Sequence, residues 1–493
     1  MRLRHLALPF FLASLAGCAL MPDYQRPASP VPAEWPEGPA YRDNGETDAE
    51  DTLPAAEIDW REFFADDPVL IALIARSLSG NRDLRAAVLD VQRARAQYRI
   101  QRADRFPQID ANAGYTRQDG GVTGGGATSG SGRAGGTGEI EYYEVDAGVS
   151  SYELDLFGRV RSLEQQALYE YLSTYEARRS AQIALIAEVA NAYLTLLADR
   201  AQLRLSESTL ENRRRSLALI RRRFEDGIGS ELDVQQARTT VETARADRAR
   251  FQRLVAQDLN ALRLLVGGEL PTGLSQQRTL ADLDLSLQVP AGLDSRLLLR
   301  RPDVRRAERT LQAANASIGA ARAAFFPTLS LTGSYGTLSG DLDGLFESGS
   351  EAWSFTPSIS LPIFDAGRRR ANLDVAKLRK RIEIANYEGA IQSAFREVAD
   401  ALAAHGTLDE QLDAQAARAR AAGASLQLSR KRYETGIENY LTVLDAQRTV
   451  YTARQDVIDS RRAALSNRIE LYRALGGGWD EETAAAQTAA SGD

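Results

Sequence analysis

The sequence predicts an α+β membrane protein in which long helices continue from a β-barrel closed by several copies of the chain. Three observations carry the prediction. The chain is an internal duplication, each copy holds two segments of period-two apolar alternation long enough to cross a membrane, and each holds a helical pattern of about 68 residues unbroken by proline.

The duplication is read from gapless agreement. A shift of 220 places Asp83 on Asp303, Arg85 on Arg305, Gln92 on Gln312, Phe106-Pro107 on Phe326-Pro327 and Tyr115 on Tyr335. A shift of 209 places Glu188-Val189-Ala190 on Glu397-Val398-Ala399, Gly227-Ile228 on Gly436-Ile437, Leu232 on Leu441 and Gly267-Gly268 on Gly476-Gly477. The shift shrinks between the blocks because the first copy has the longer loop between its strands.

Residues 1–17 read as a secretory leader, with Arg2 and Arg4 before an apolar run from Leu6 to Leu15 that is too short to span a bilayer. Leu15-Ala16-Gly17-Cys18 resembles the bacterial lipoprotein processing box, which implies a lipid on Cys18, the one cysteine of the chain. An ordinary leader with an incidental cysteine is the alternative. By the same resemblance, Ala19 is compatible with sorting to the outer membrane. Residues 18–55, rich in Pro, Asp, Glu and Gly, read as an extended tether.

The first copy, 56–268, and the second, 301–478, each read helix, strand, strand, long helix, helix; 269–300 connects them and 479–493 forms a disordered tail. In copy one the first helix runs from about Asp83 to Arg105, where Pro107 stops it. Ile109, Ala111, Ala113 and Tyr115 then share one strand face, as do Leu329, Leu331, Gly333 and Tyr335. The returning strands span about 140–156 and 353–364, the latter alternating Trp353, Phe355, Ile359, Leu361 and Ile363. The loops between them hold ten glycines from Gly120 to Gly138 and, in copy two, span Ser339 to Ser350; both are expected to be exposed and mobile. The long helices begin after Gly158 and Gly367, and each would reach roughly 100 Å. Returning helices, Glu231 to Val266 and Asn439 to Leu475, end at glycine pairs suited to C-caps.

Composition excludes other classes. Across 493 residues the net charge is -7, with arginines interleaved among acids, so no nucleic-acid partner is expected. One Cys and two His, of which His5 lies in the leader, leave no imidazole set for a zinc site. His405, in an alanine-rich helical stretch, reads as a surface residue. No catalytic residue, metal or cofactor is expected.

Four strands per chain are too few to close a barrel, and an open edge cannot face lipid. Two chains would give eight strands around a filled lumen, whereas three give twelve around a passage. A homotrimer follows, with the long helices forming a hollow cylinder below the barrel.

Several segments carry a family resemblance: Ile58-Asp59-Trp60-Arg61-Glu62-Phe63-Phe64, Asn81-Arg82-Asp83-Leu84-Arg85, Tyr152-Glu153-Leu154-Asp155-Leu156-Phe157-Gly158, Leu299-Arg300-Arg301-Pro302-Asp303 and Tyr440-Leu441-Thr442-Val443-Leu444-Asp445-Ala446-Gln447. Together they closely resemble the TolC-like outer-membrane factors, and most closely the lipoprotein (OprM/NodT-like) branch that serves resistance-nodulation-division (RND) efflux pumps. The resemblance covers about residues 21 to 478. It implies a trimeric twelve-stranded barrel anchored in outer-membrane lipid, a long periplasmic helical barrel and a mixed equatorial belt. It also implies a passive multidrug or solute duct opened by a periplasmic adaptor and joined through it to an inner-membrane RND-type pump. A type I polypeptide secretion duct on the same fold and a soluble periplasmic coiled-coil scaffold are the alternatives.

The resemblance also assigns sites. The helix-turn-helix tips, Gly227, Ile228 and Ser230 with Gly436, Ile437 and Asn439, would face the adaptor, although the glycines also simply permit the turn. Leu441, Asp445 and Arg448, spaced by four and three, share one helix face, which would line a periplasmic gate; an ion pair along an exposed helix is the plainer reading. Asp233 and Tyr433 would form a latch through one hydrogen bond. Leu232 and Glu438 depart from some relatives, where a second polar link would be expected.

Overall fold

The structure is a computed structural model that describes residues 20–41, 58–119, 139–271, 274, 278–283, 285 and 294–477. Cys18, the leader, the glycine-rich first loop from Gly120 to Gly138 and the C-terminal tail therefore lie outside the described residues.

Helices α1 (Trp60–Phe63), α2 (Pro68–Gly80) and α3 (Arg82–Ala103) lead into strands β1 (Asp110–Asp119) and β2 (Glu139–Leu154), and α4 (Arg159–Glu225) and α5 (Glu231–Val266) complete the first copy. The second copy follows as α6 (Pro302–Ala323), β3 (Thr328–Ser339), β4 (Glu351–Ser360), α7 (Arg368–Glu434) and α8 (Tyr440–Ala474). Helices α3 and α6 have 22 residues each, and α4 and α7 have 67 each. Equal lengths at the two offsets read from the sequence bear out the duplication.

Two helices were not anticipated. Asp59 caps α1 through the Arg61 amide at 2.7 Å, and Asp67 caps α2 through the amides of Val69 and Leu70, with Pro68 preset for the first turn. Strand β4 stops at Ser360, although the apolar alternation runs on to Ile363. Pro362 has no amide to continue the ladder, so Leu361 and Ile363 project from irregular backbone.

The described residues fall into two compact units that cut across the repeats. The first holds Gln92–Leu172, Arg309–Ala385 and the segment ending at Arg26. Its four strands form one antiparallel sheet in the order β1-β2-β3-β4, so the central β2–β3 pairing joins the two copies. Register decides what each face carries. Ala113 opposes Val145, Tyr115 opposes Tyr143, Ala147 opposes Tyr335, Tyr335 opposes Trp353, and Leu329 opposes Ile359, all on one side. The other side carries Asn112, Glu144, Asp146, Thr332 and paired serines, Ser330 with Ser358 at 2.7 Å and Ser334 with Ser354 at 2.9 Å. Trp353 and Phe355 are 75% and 64% exposed. An apolar face left bare opposite a hydroxyl- and carboxylate-bearing one is the pattern of a strand with lipid outside and water inside.

The second loop departs from the expectation of open mobility. It is exposed around one buried side chain, Leu345, and closes through Leu338 N–H donating to the Ser350 carbonyl at 2.8 Å and Ser350 Oγ donating to Leu345 O at 2.9 Å. At the helical end of this unit the supposed tether is fixed. Asn315 Nδ2 donates to Pro22 O at 2.8 Å, and a Cβ at Gly319 would collide with Met21.

The second unit holds Pro27–Val91, Ser173–Glu308 and the chain from Asn386. Trp60, Phe64, Leu70, Leu73 and Ile74 are fully buried there, with Phe63 stacked on Tyr472 at 4.2 Å. Tyr193 donates to Asp67 at 3.1 Å, and burial, with that carboxylate beside it, pushes its phenol well above the usual value. The described residues between the copies include two short 3₁₀ helices, Leu280–Asp282 and Ser295–Arg300, and arginine side chains satisfy carbonyls there that no ladder would reach. Arg461 donates to Leu280 O, Ala281 O and Leu283 O at 2.6 to 3.2 Å, and Arg200 donates to Leu274 O at 2.6 Å. In the same unit Trp35 stacks on Phe395 at 4.7 Å, so this part of the tether is also docked.

Candidate gate and docking tips

Both tips close by the same hydrogen bonds. After α4, Ile228 N–H reaches Arg223 O at 2.8 Å and Gly227 N–H reaches Phe224 O at 3.0 Å; after α7, Ile437 N–H reaches Arg432 O at 2.9 Å and Gly436 N–H reaches Tyr433 O at 3.1 Å. These are Schellman caps, which need a left-handed residue at the turn, and Gly227 and Gly436 have φ of 75° and 76°. Nothing lies within 4 Å of a Cβ built on either. Ser230 then opens α5 through a reciprocal box with Asp233, and Asn439 opens α8 by accepting from the Thr442 amide at 3.1 Å. Ile228 and Ile437 are left exposed at the turns.

Just behind the tips the hairpins pack together. Ile220, Val234, Ala237, Tyr440, Val443 and Leu444 form one buried cluster flanked by Leu217, Leu426 and Tyr433. Apolar residues of α4, α5 and α8, edged by α7, thus hold the hairpins side by side, and burying the cluster stabilises their pairing by several kcal/mol at about 25 cal/mol per Å².

The sequence-derived site residues separate into two groups. Leu441, Asp445 and Arg448 do share an exposed face of α8, where Asp445 pairs with Arg448 at 3.6 Å. Asp233 and Tyr433 flank the cluster but are engaged elsewhere in this chain. The Asp233 carboxylate accepts from Ser230 N–H at 3.4 Å, and the Tyr433 ring lies under the Arg223 guanidinium at 4.8 Å. Glu438 pairs with Arg432 at 3.3 Å, and Leu232 is exposed.

Sequence reasoning missed Tyr440. Its ring meets Tyr433 at 5.5 Å, and its buried hydroxyl has no partner among the described residues. Burial first, and then Tyr433 and Asp233, push its phenol up to about 12. An aromatic side chain directly after a helix-capping Asn was the available signal, but its burial depends on the other hairpin.

A profile of the outer membrane efflux protein family matches residues 73–268 and 293–477. The toluene efflux pump outer membrane protein TtgC of Pseudomonas putida is 50% identical over 477 residues, covering 97% of this chain and 96% of that protein. The cation efflux system protein CusC of Escherichia coli O157:H7 is 44% identical over 478 residues, covering 96% and 99%. Among solved structures, the MtrE outer membrane channel of Neisseria gonorrhoeae in its open state superposes with a TM-score of 0.81 at 38% identity, covering 94% of this chain and 98% of that one. Such channels are trimers with a long helical part and a four-stranded sheet in each chain, and this chain has the fold of one of their protomers.

Proposed function

The chain belongs to the outer membrane efflux protein family, and from that premise we propose that three copies form one passive duct, opened by a periplasmic adaptor and driven by an inner-membrane RND-type pump. It is an outer-membrane protein with a large periplasmic part, and its function is to serve as an efflux exit duct. The observation that carries the assembly is the sheet: one apolar face, one polar face, and outer edges on β1 and β4 that no described residue pairs with. Twelve strands remove those edges and leave a lumen. Deleting the gene should raise susceptibility to exported solutes, and the intact chain should restore resistance and run as a heat-sensitive trimer in outer-membrane extracts. A monomer in those extracts would overturn the assembly.

Relatives of similar identity are named for toluene and for cation efflux. That contrast supports a duct with little selectivity of its own, the pump choosing the cargo. No chemistry is assigned to the chain.

Cys18 is proposed to carry lipid that fixes each chain to the membrane, since three acyl chains exceed the two signals needed for stable anchoring. Cys18→Ser should abolish incorporation of labelled palmitate; retained label would remove the anchor.

The tips are the proposed adaptor contacts. At Gly436 an added Cβ meets no neighbour within 4 Å, so a valine suffers chiefly backbone strain, on the order of 1–2 kcal/mol for a side chain there and somewhat more for a β-branched one. Gly436→Val should therefore leave trimers intact while weakening adaptor crosslinking several-fold. Crosslinking at the wild-type level would refute docking there.

The gate is proposed at Leu441, Asp445 and Arg448, with Asp233 and Tyr433 as its latch. Three Asp445 carboxylates near one axis would favour cations. Tyr433→Phe with Asp233→Ala should raise single-channel conductance, and Asp445→Ala should lower cation selectivity. If neither property moves, both the latch and the ring are wrong.

A further inference from the structure

A cavity of about 60 Å³ opens between α4, α7 and α8 in the second unit. One ordered water needs only about 10–15 Å³ of such space, so a tetrahedral oxyanion has room there. Three guanidinium groups line the cavity, Arg213 from α4, Arg430 from α7 and Arg454 from α8, and its walls carry no carboxylate.

Asp456 pairs with Arg418 at 2.8 Å and Asp445 pairs with Arg448. Asp247, which accepts from Tyr451 Oη at 3.1 Å, is the one nearby carboxylate among the described residues whose charge acts on Arg213, so three guanidinium groups face a single acid. Among the described residues, neither Arg430 nor Arg454 makes an ion pair. Arg213 is 6% exposed. Its Nη1 donates to Thr240 O at 2.8 Å and its guanidinium lies 5.2 Å from the Tyr451 ring, yet its Nε is buried without a hydrogen-bond partner among the described residues. Gln447, also on the wall and 9% exposed, has an equally unpartnered amide oxygen. Burial lowers the Arg213 pKa, but a guanidinium stays protonated at any physiological pH.

A buried donor without an acceptor, next to two further cations and an amide that can turn its NH₂ inward, describes a site lacking its anion. Planar guanidinium forks suit the oxygens of a phosphate- or sulfate-like group better than a spherical halide. We propose that this cavity binds one small oxyanion, which clasps α7 and α8 to α4. With the site filled, Arg213, Arg430 and Arg454 share a counter-ion and the hairpins hold together; with it empty, the three like charges push them apart. The site stands whether or not the hairpins gate the duct.

The test is thermal unfolding of the purified full-length protein in detergent, titrated with inorganic phosphate and, separately, with sodium chloride at matched ionic strength. Phosphate should raise the melting temperature saturably beyond chloride. Arg430→Gln with Arg454→Gln changes two less buried side chains, so the variant should fold, and its half-saturating phosphate concentration should rise at least tenfold. Arg430→Lys with Arg454→Lys, which keeps the charges but not the forks, should fall between the two. Equal shifts with phosphate and chloride would mean general screening and overturn the site, as would an unchanged phosphate response in the glutamine variant.

Discussion

Replacing Arg301 with methionine should cost about 2–3 kcal/mol of stability, since it removes the charged donor from two part-exposed carboxylates and from one buried helix-end carbonyl. Its side chain is 5% exposed and joins three helices. It grips Asp303 at the start of α6 with Nε at 3.1 Å and Nη2 at 2.7 Å, reaches Glu397 on α7 at 2.8 Å, and donates through Nη1 to Ala474 O at the end of α8 at 2.7 Å. Burial raises the Asp303 pKa, but the hydrogen bonds and charge of Arg301 outweigh it and hold that carboxyl below its usual value. A depressed carboxyl contributes stability that is present above its unfolded pKa, about 3.9, and is lost as pH falls through the folded value. In Arg301→Met the dependence should flatten, because Asp303, 39% exposed and still accepting from the Val304 amide at 2.9 Å, loses the cation that held its carboxyl down. Melts followed by helical circular dichroism from pH 3 to 7 would show both effects. Arg301→Lys should recover only part of the loss, since an ammonium cannot reproduce the fork, while Glu397 keeps Arg473 at 3.4 Å in either variant. A single substitution that melts with the wild type would mean the joint is held by its apolar neighbours.

Gly267→Val should be at least as damaging, for a different reason. Gly267 has φ of 73°, and a Cβ there would strike the Gly80 carbonyl group; a Cβ on Gly80 would strike Val266 O in return. The ends of α2 and α5 approach this closely because both side chains are absent, and Asn81 Nδ2 secures the approach by donating to Leu265 O at 3.0 Å. Left-handed backbone costs a side chain roughly 1–2 kcal/mol, a β-branched one more, and the collision adds backbone displacement, so about 3 kcal/mol or more is expected. Gly436→Val is the internal control, having the same φ but open space. Comparable trimer yield and melting temperature in the two variants would refute the steric account.

Periodicity explains how much was readable beforehand. The long helices were placed to within a residue or two because their lengths recur in both copies and glycines mark their ends. The strands were visible because period two separates their faces, but the β4 alternation ran past Pro362, where the ladder could not follow. Helix α2, 13 residues in the first copy, went unread although Asp67-Pro68 is a start signal, because no matching stretch recurs in the second copy to mark it. The spacing of Leu441, Asp445 and Arg448 placed them on one face correctly, since that geometry is local. Tyr440 and the cavity around Arg213, Arg430 and Arg454 were not legible, because their environments are assembled from helices over 200 residues apart in sequence.

The outer edges of β1 and β4 also have a genetic reading. No chain completes a duct by itself, so every ring is a shared product and a faulty chain acts on the copies beside it. If a cell makes equal amounts of sound and faulty chains that still pair at both edges, random mixing leaves only about one ring in eight wholly sound. Variants that spare the sheet and spoil a tip, such as Gly436→Val, should therefore be dominant over the wild-type allele. Variants that unfold the chain before it finds neighbours, such as Arg301→Met, should be recessive.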